Sequence, residues 1–197
     1  MRKLLVLALL VLSPASSMAF EIFALGTSNT NCKGVERGKI FPVQLEELLR
    51  ADGLDATVIN GGVDGDKPFF MMNRLFGQGS VSVKTKLVIF EPGPNDKNKS
   101  SNVDYSEKIL ARLQERGIPT IYVSNGLIQT NEEAQDTARK YGAYYYGFWT
   151  KGVPVDKIHR QYDEPGKAGH MTAEGCQLWA RNMRTFVKKV LSEKGIK

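Results

Sequence analysis

Phe23-Ala24-Leu25-Gly26-Thr27-Ser28-Asn29-Thr30-Asn31 is the stretch on which the fold turns. An apolar run stops at a glycine, and small hydroxyl and amide residues follow. That is how a buried strand delivers a polar loop to the edge of a sheet. Three readings are open on these residues alone. Ser28 is a nucleophile raised on a tight turn, or the loop is a cradle of backbone N–H groups for a phosphate, or it is an ordinary strand-to-helix turn.

Working outward, the same pattern recurs. Phe41 to Leu49 carries apolar residues at helical spacing and ends near Gly53. Ala56 to Asn60 reads as a second buried strand, stopped by the glycine-rich turn Gly61 to Asp66. Phe69 to Phe76 is a further helix. Lys86 to Glu91 is the third strand, broken by Pro92-Gly93-Pro94-Asn95-Asp96. Tyr105 to Arg116 is an amphipathic helix with Gly117 and Pro119 as stop signals. Pro119 to Val123 is a fourth strand, Asn131 caps a helix to Lys140, and Ala143 to Tyr145 is a short fifth strand. After an irregular stretch from Gly152 to Gly169, the last helix runs from about Thr172 to Leu191, with Trp179, Met183, Phe186, Val187 and Val190 as its inner stripe. Strands alternating with helices call for an α/β fold with a parallel sheet of about five strands covered on both faces. Ligands gather at the carboxyl ends of such strands, and the turns after the first three strands all fall on that edge.

The N-terminus reads as a signal peptide over residues 1–19. Arg2 and Lys3 precede the apolar run Leu4 to Leu12, and Ser17-Met18-Ala19 supplies small residues at the cleavage positions. The expectation is an exported or periplasmic protein with a single domain over residues 20–197 and no stable membrane insertion, since no second apolar span follows. The formal net charge is +6, and removing Arg2 and Lys3 leaves +4. The Lys and Arg residues are scattered, which argues against a nucleic-acid partner. Cys32, Cys176, His159 and His170 are the only Cys and His residues, and their spacing matches no zinc pattern.

Acyl transfer needs a nucleophile, a base within hydrogen-bond reach, and donors for a developing oxyanion. Ser28 offers the hydroxyl. Gly65 lets a bare backbone N–H approach a substrate. Asn95 holds a side-chain amide on a stiff turn. His170, just before the last helix, can reach the sheet edge as a general base. Carried by these residues, the chain resembles the SGNH, or GDSL-type, hydrolases over nearly all of residues 23–197, and most closely their acyl thioesterase/lysophospholipase branch. Gly26-Thr27-Ser28 resembles the G-D-S block with Thr27 in place of Asp. Asn60-Gly61-Gly62-Val63-Asp64-Gly65-Asp66 resembles N-x-x-x-x-G-D, and Gly93-Pro94-Asn95-Asp96 is an intact G-x-N-D. Lys167-Ala168-Gly169-His170 resembles D-x-x-H with Lys167 at the acid position.

The resemblance implies a three-layer, flavodoxin-like fold, Ser28 as nucleophile, His170 as base, and an oxyanion hole from Ser28 N–H, Gly65 N–H and Asn95. It implies an ester hydrolase that needs no cofactor or metal and acts on a small acyl ester, a lipid or an acylated glycan. Lys167 cannot orient an imidazolium as a carboxylate does. Asp163 is the favoured surrogate acid, ahead of Glu164, with a backbone carbonyl holding the ring in a Ser–His dyad as a third option. The alternative function is an SGNH-fold protein that binds acylated glycans or lipids without turnover. If Ser28 and His170 meet, Cys32 and Cys176 are also brought together, either as a disulfide or as two buried thiols. The segments Phe69–Val83, Lys97–Asn102 and Gly147–Tyr162 are expected to line the pocket.

Overall fold

The computed structural model describes residues 19–77, 80–162 and 167–196; the expected signal peptide lies almost wholly outside them. Five strands form one parallel sheet: β1 (Phe20–Gly26), β2 (Ala56–Gly62), β3 (Thr85–Phe90), β4 (Thr120–Ser124) and β5 (Tyr144–Phe148), in the order β2-β1-β3-β4-β5. Five α-helices accompany them among the described residues: α1 (Phe41–Ala51), α2 (Pro68–Gly77), α3 (Lys99–Glu115), α4 (Asn131–Lys140) and α5 (Ala173–Glu193).

The period-two alternation of the central strands feeds two cores. Ile22, Ala24, Leu87 and Ile89 pack with Leu45, Leu49, Trp179 and Met183 of α1 and α5. Phe23, Leu25, Val88 and Phe90 pack with α2, α3 and α4 through Met71, Ile109 and Ala134. Both faces of the sheet are therefore buried, which gives the three-layer, doubly wound architecture expected. The chain first steps from β1 to β2 at one edge, then returns to the other side of β1 for β3. The loops after β1 and β3 consequently diverge from a topological switch point, where such sheets open a crevice.

Some boundaries differ from the sequence reading. α3 begins at Lys99, six residues before Tyr105, because Asn98 caps it by accepting from the Ser101 N–H at 3.1 Å. Its first turn is polar and reads as loop, yet Asn102 is fully buried and donates to the Gly93 carbonyl at 3.0 Å. The cap of α4 is Thr130, not Asn131, in a reciprocal capping box with Glu133. β5 extends to Phe148, three residues past Tyr145. On α5, Trp179, Met183, Val187 and Val190 are buried, whereas Phe186 is half-buried and meets Tyr146 edge-on.

Candidate active site

The turn after β1 is built around a carboxyl group. Glu91, immediately after β3, is fully buried. It accepts from the Thr27 N–H (3.1 Å), the Thr27 hydroxyl (2.7 Å), the Asn29 side-chain amide (3.1 Å) and the Thr30 hydroxyl (3.3 Å). Burial pushes its pKa up, and these donors only partly offset that. Thr27 Oγ1 also accepts from the Asn29 N–H at 3.3 Å, so a single threonine links the buried carboxyl to the backbone of the loop. Gly93 closes the back of this turn. It sits at φ +62°, and a Cβ there would lie 2.3 Å from Thr27 Cγ2. Ser28 rides on this brace and is 8% exposed.

The loop after β2 is held by its own residues. Asn60 accepts from the Gly62 N–H and donates to Asn31 Oδ1. Asp66, nine-tenths buried, pairs with Arg74 of α2 at 2.5 Å. Gly65 stands at φ +75° with open space where a Cβ would project. Asn95 Nδ2 donates to the Asp66 carbonyl at 3.0 Å, which ties the loop after β3 to the loop after β2. Asp96 in turn accepts from Asn98 N–H and the Ser101 hydroxyl, fixing that loop to the start of α3.

His170 arrives from the far end of the chain. Its Nε2 lies 2.9 Å from Ser28 Oγ across a separation of 142 residues. A short antiparallel bridge between Arg160 and Met171 presents it. Gln161 N–H donates to the His170 carbonyl at 2.7 Å, and Gln161 Nε2 donates to both the Met171 carbonyl (2.6 Å) and the Lys33 carbonyl (2.8 Å). Arg160 Nε and Nη2 both donate to the Gly169 carbonyl. Cys32 and Cys176 form a disulfide that joins the segment after Ser28 to the first turn of α5. Asp163 and Glu164 lie outside the described residues. Among the described residues no cluster of His, Cys, Asp and Glu could hold a metal ion.

No family model and no curated relative matches the chain. Solved structures do. AlinE4, described as an SGNH-hydrolase family esterase, is 27% identical, covering 90% of this chain and 99% of its own at a TM-score of 0.65. The psychrotrophic esterase EstA from Pseudoalteromonas sp. is 15% identical, covering 87% of this chain and 98% of its own at 0.72, and TesA is 18% identical, covering 87% and 99% at 0.73. The fold is that of the SGNH esterases. The likeness supports an ester hydrolase.

Placed on the SGNH frame, the sequence-selected residues converge: Ser28 and His170 are in hydrogen-bond contact, and Asn95 reaches the turn that carries Gly65. A crevice of about 420 Å³ opens beside His170, walled by Asn29, Asn125, Leu127, Phe148, Trp149 and Arg160. Of the three segments expected to line a pocket, Gly147–Tyr162 walls this crevice through Phe148, Trp149, Thr150 and Arg160, whereas no described residue of Phe69–Val83 or Lys97–Asn102 does. The sequence reading missed Glu91, Arg160, Gln161 and the Asn125–Leu127 loop. Only Glu91 left a signal, a carboxylate ending an otherwise apolar strand just where three small hydroxyl and amide residues needed an acceptor.

Proposed function

We propose that the protein is an exported serine ester hydrolase of the SGNH type, in which Ser28 attacks an acyl carbonyl. The observation that carries this is the 2.9 Å contact between Ser28 Oγ and His170 Nε2. His170 takes the hydroxyl proton as the Ser28 oxygen bonds to the carbonyl carbon. The negative charge that builds on the carbonyl oxygen faces the Ser28 and Gly65 N–H groups and Asn95 Nδ2, whose second hydrogen is not needed for Asp66. His170 then gives the proton to the leaving alcohol, and water releases the acyl group by the same route in reverse. Asp163 is the residue proposed to orient the His170 ring, from the loop that precedes it. Support for export comes from the Arg2–Ala19 pattern and from the Cys32–Cys176 disulfide, which persists in oxidising compartments. An acyl ester, a lipid or an acylated glycan is the proposed substrate class.

Residues 20–197 assayed on p-nitrophenyl acetate and longer acyl esters and thioesters provide the test. Ser28→Ala and His170→Ala should each lower kcat by about 10³-fold or more with circular dichroism unchanged. Unaltered turnover in Ser28→Ala, or no turnover of any ester, overturns the reading. Lys167 at the acid position keeps the binding-protein alternative in view. Ligand binding without turnover, undiminished in His170→Ala, would favour it.

A further inference from the structure

Among the described residues, Arg160 is the only Lys or Arg in the wall of the crevice beside His170, and it is 6% exposed. Two of its nitrogens are committed to the Gly169 carbonyl, and its guanidinium lies over the Trp149 ring at 4.7 Å. It forms no ion pair with any described carboxylate, and Nη1 carries no hydrogen bond while remaining accessible. A buried cation lacking a counter-charge is costly, and arginine cannot escape the cost by losing its proton. A carbonyl dipole and an aromatic face lessen that cost without neutralising the charge. Burial itself acts to disfavour the charged form. Among the described residues no Asp or Glu lines the crevice. Its other described polar walls are Asn29, Asn125, Thr150 and the imidazole of His170.

The crevice also has a side. His170 must protonate the departing oxygen, so the leaving alcohol departs on the face that His170 lines, whereas Gly65, one of the oxyanion donors, stands outside the crevice. We propose that this crevice takes the leaving alcohol of a carboxylate-bearing ester, and that Arg160 binds the carboxylate. One planar monoanion matches one guanidinium edge. The side of the site on which the group departs rests on the ester-hydrolase reading; the anion site itself does not.

Two acetate esters of nearly equal shape test it: 4-acetoxybenzoate, which carries the carboxylate on its leaving group, and neutral 4-acetoxybenzamide. The native enzyme should favour the carboxylate by about tenfold or more in kcat/KM, after correction for the uncatalysed rates. Arg160→Gln should collapse that ratio to within about twofold, and Arg160→Lys should keep part of it. Loss of the Gly169 contact affects both substrates alike and cancels in the ratio. The same preference in native and Arg160→Gln enzyme overturns the proposal and leaves the hydrolase reading standing. Should neither ester be turned over, thermal stabilisation of the native protein by benzoate but not benzamide, absent in Arg160→Gln, supports the anion site while the hydrolase reading fails. Should Arg160→Gln not fold, competitive inhibition of the native enzyme by benzoate and not by benzamide supports it. Equal or absent inhibition by the two overturns it.

Discussion

On the Ser28 side of the crevice, the loops are fastened by many side-chain hydrogen bonds, some within a motif and others to a neighbouring loop or strand end. Thr27, Asn29 and Thr30 close on Glu91, Asn60 closes on Gly62, and Asp96 closes on the first turn of α3. On the His170 side, the support comes from far along the chain. A single bridge at Arg160 and Met171, a glutamine that spans to Lys33, and a disulfide to Cys32 hold the loop. The first construction is dense, with several bonds converging on Glu91 and the loops also tied to each other. The second is sparse and long-range, so its geometry depends on a few closures. His170 is therefore the mechanically weaker partner of the proposed pair, and the variants that discriminate act on the ties between the two sides.

The largest expected effect is on the disulfide. It spans a sequence separation of 144, for which the chain-entropy model gives an upper value of about 5 kcal/mol. In a domain of this size each kcal/mol moves Tm by roughly 2–4 °C, so Cys32→Ser with Cys176→Ser should lower Tm on the order of 10 °C. Because Gln161 and the Arg160–Met171 bridge remain, kcat well below the melting range should fall less than about threefold. A collapse of kcat in protein that is still folded would show that His170 has no independent support. An unchanged Tm would show that the bridge constrains nothing.

The same contrast explains what the sequence disclosed. Ser28, Gly65, Asn95 and the alternation of strands and helices are legible because a tight loop needs particular residue types at fixed spacing, and those types stand side by side in the chain. His170 is legible because it precedes a helix start marked by Thr172. Arg160 and Gln161 are not, since their partners lie 9, 10 and 128 residues away and no periodicity marks them within the irregular stretch before α5. The start of α3 was hidden for a related reason: Asn98 and Asn102 act as cap and tether, both polar roles that imitate loop composition. Glu91 lies between these cases, visible as a misplaced charge but interpretable only once Thr27 is known to face it.

Glu91 probes the dense construction around Ser28. Glu91→Ala strands four donors in a buried site, and each unsatisfied group costs about 1–3 kcal/mol, with relaxation and water lowering the sum. A loss of about 3 kcal/mol is expected, with a fall in kcat as the Ser28 turn loosens. Glu91→Gln should be much milder, about 1 kcal/mol, because the threonine hydroxyls can turn to accept from the new amide. The pH dependence gives an independent signature. With its pKa raised by burial, the folded protein holds this proton more tightly than the unfolded chain does. The stability it contributes is full below the unfolded carboxylate value of about 4.3 and is lost as pH rises through the folded value. Urea titrations across that window should therefore show a downward slope in the native protein that Glu91→Gln removes. Equal slopes would mean that the carboxyl is ionised in both states and that the brace works by charge.

Gln161 probes the long-range construction with the smallest change. Its side chain donates to Lys33 on the segment following Ser28 and to Met171 beside His170, so it is the one described side chain that spans the two loops by hydrogen bonds outside the catalytic pair. Gln161→Ala removes both donations but leaves the Gln161 N–H bonded to the His170 carbonyl. Lys33 is exposed, so water can replace the donor lost there, whereas Met171 is buried, and stability should fall by about 1–2 kcal/mol. A structural role alone would end there. A positioning role predicts more: kcat should drop several-fold with KM unchanged, because a small displacement of a base from its nucleophile costs rate without costing substrate binding. Adding the disulfide substitutions to Gln161→Ala should then lower kcat by more than the product of the separate losses, since each tie masks the absence of the other. Strict multiplicativity would mean that the two ties hold different degrees of freedom of the His170 loop, and that the Arg160–Met171 bridge suffices to keep the ring on Ser28.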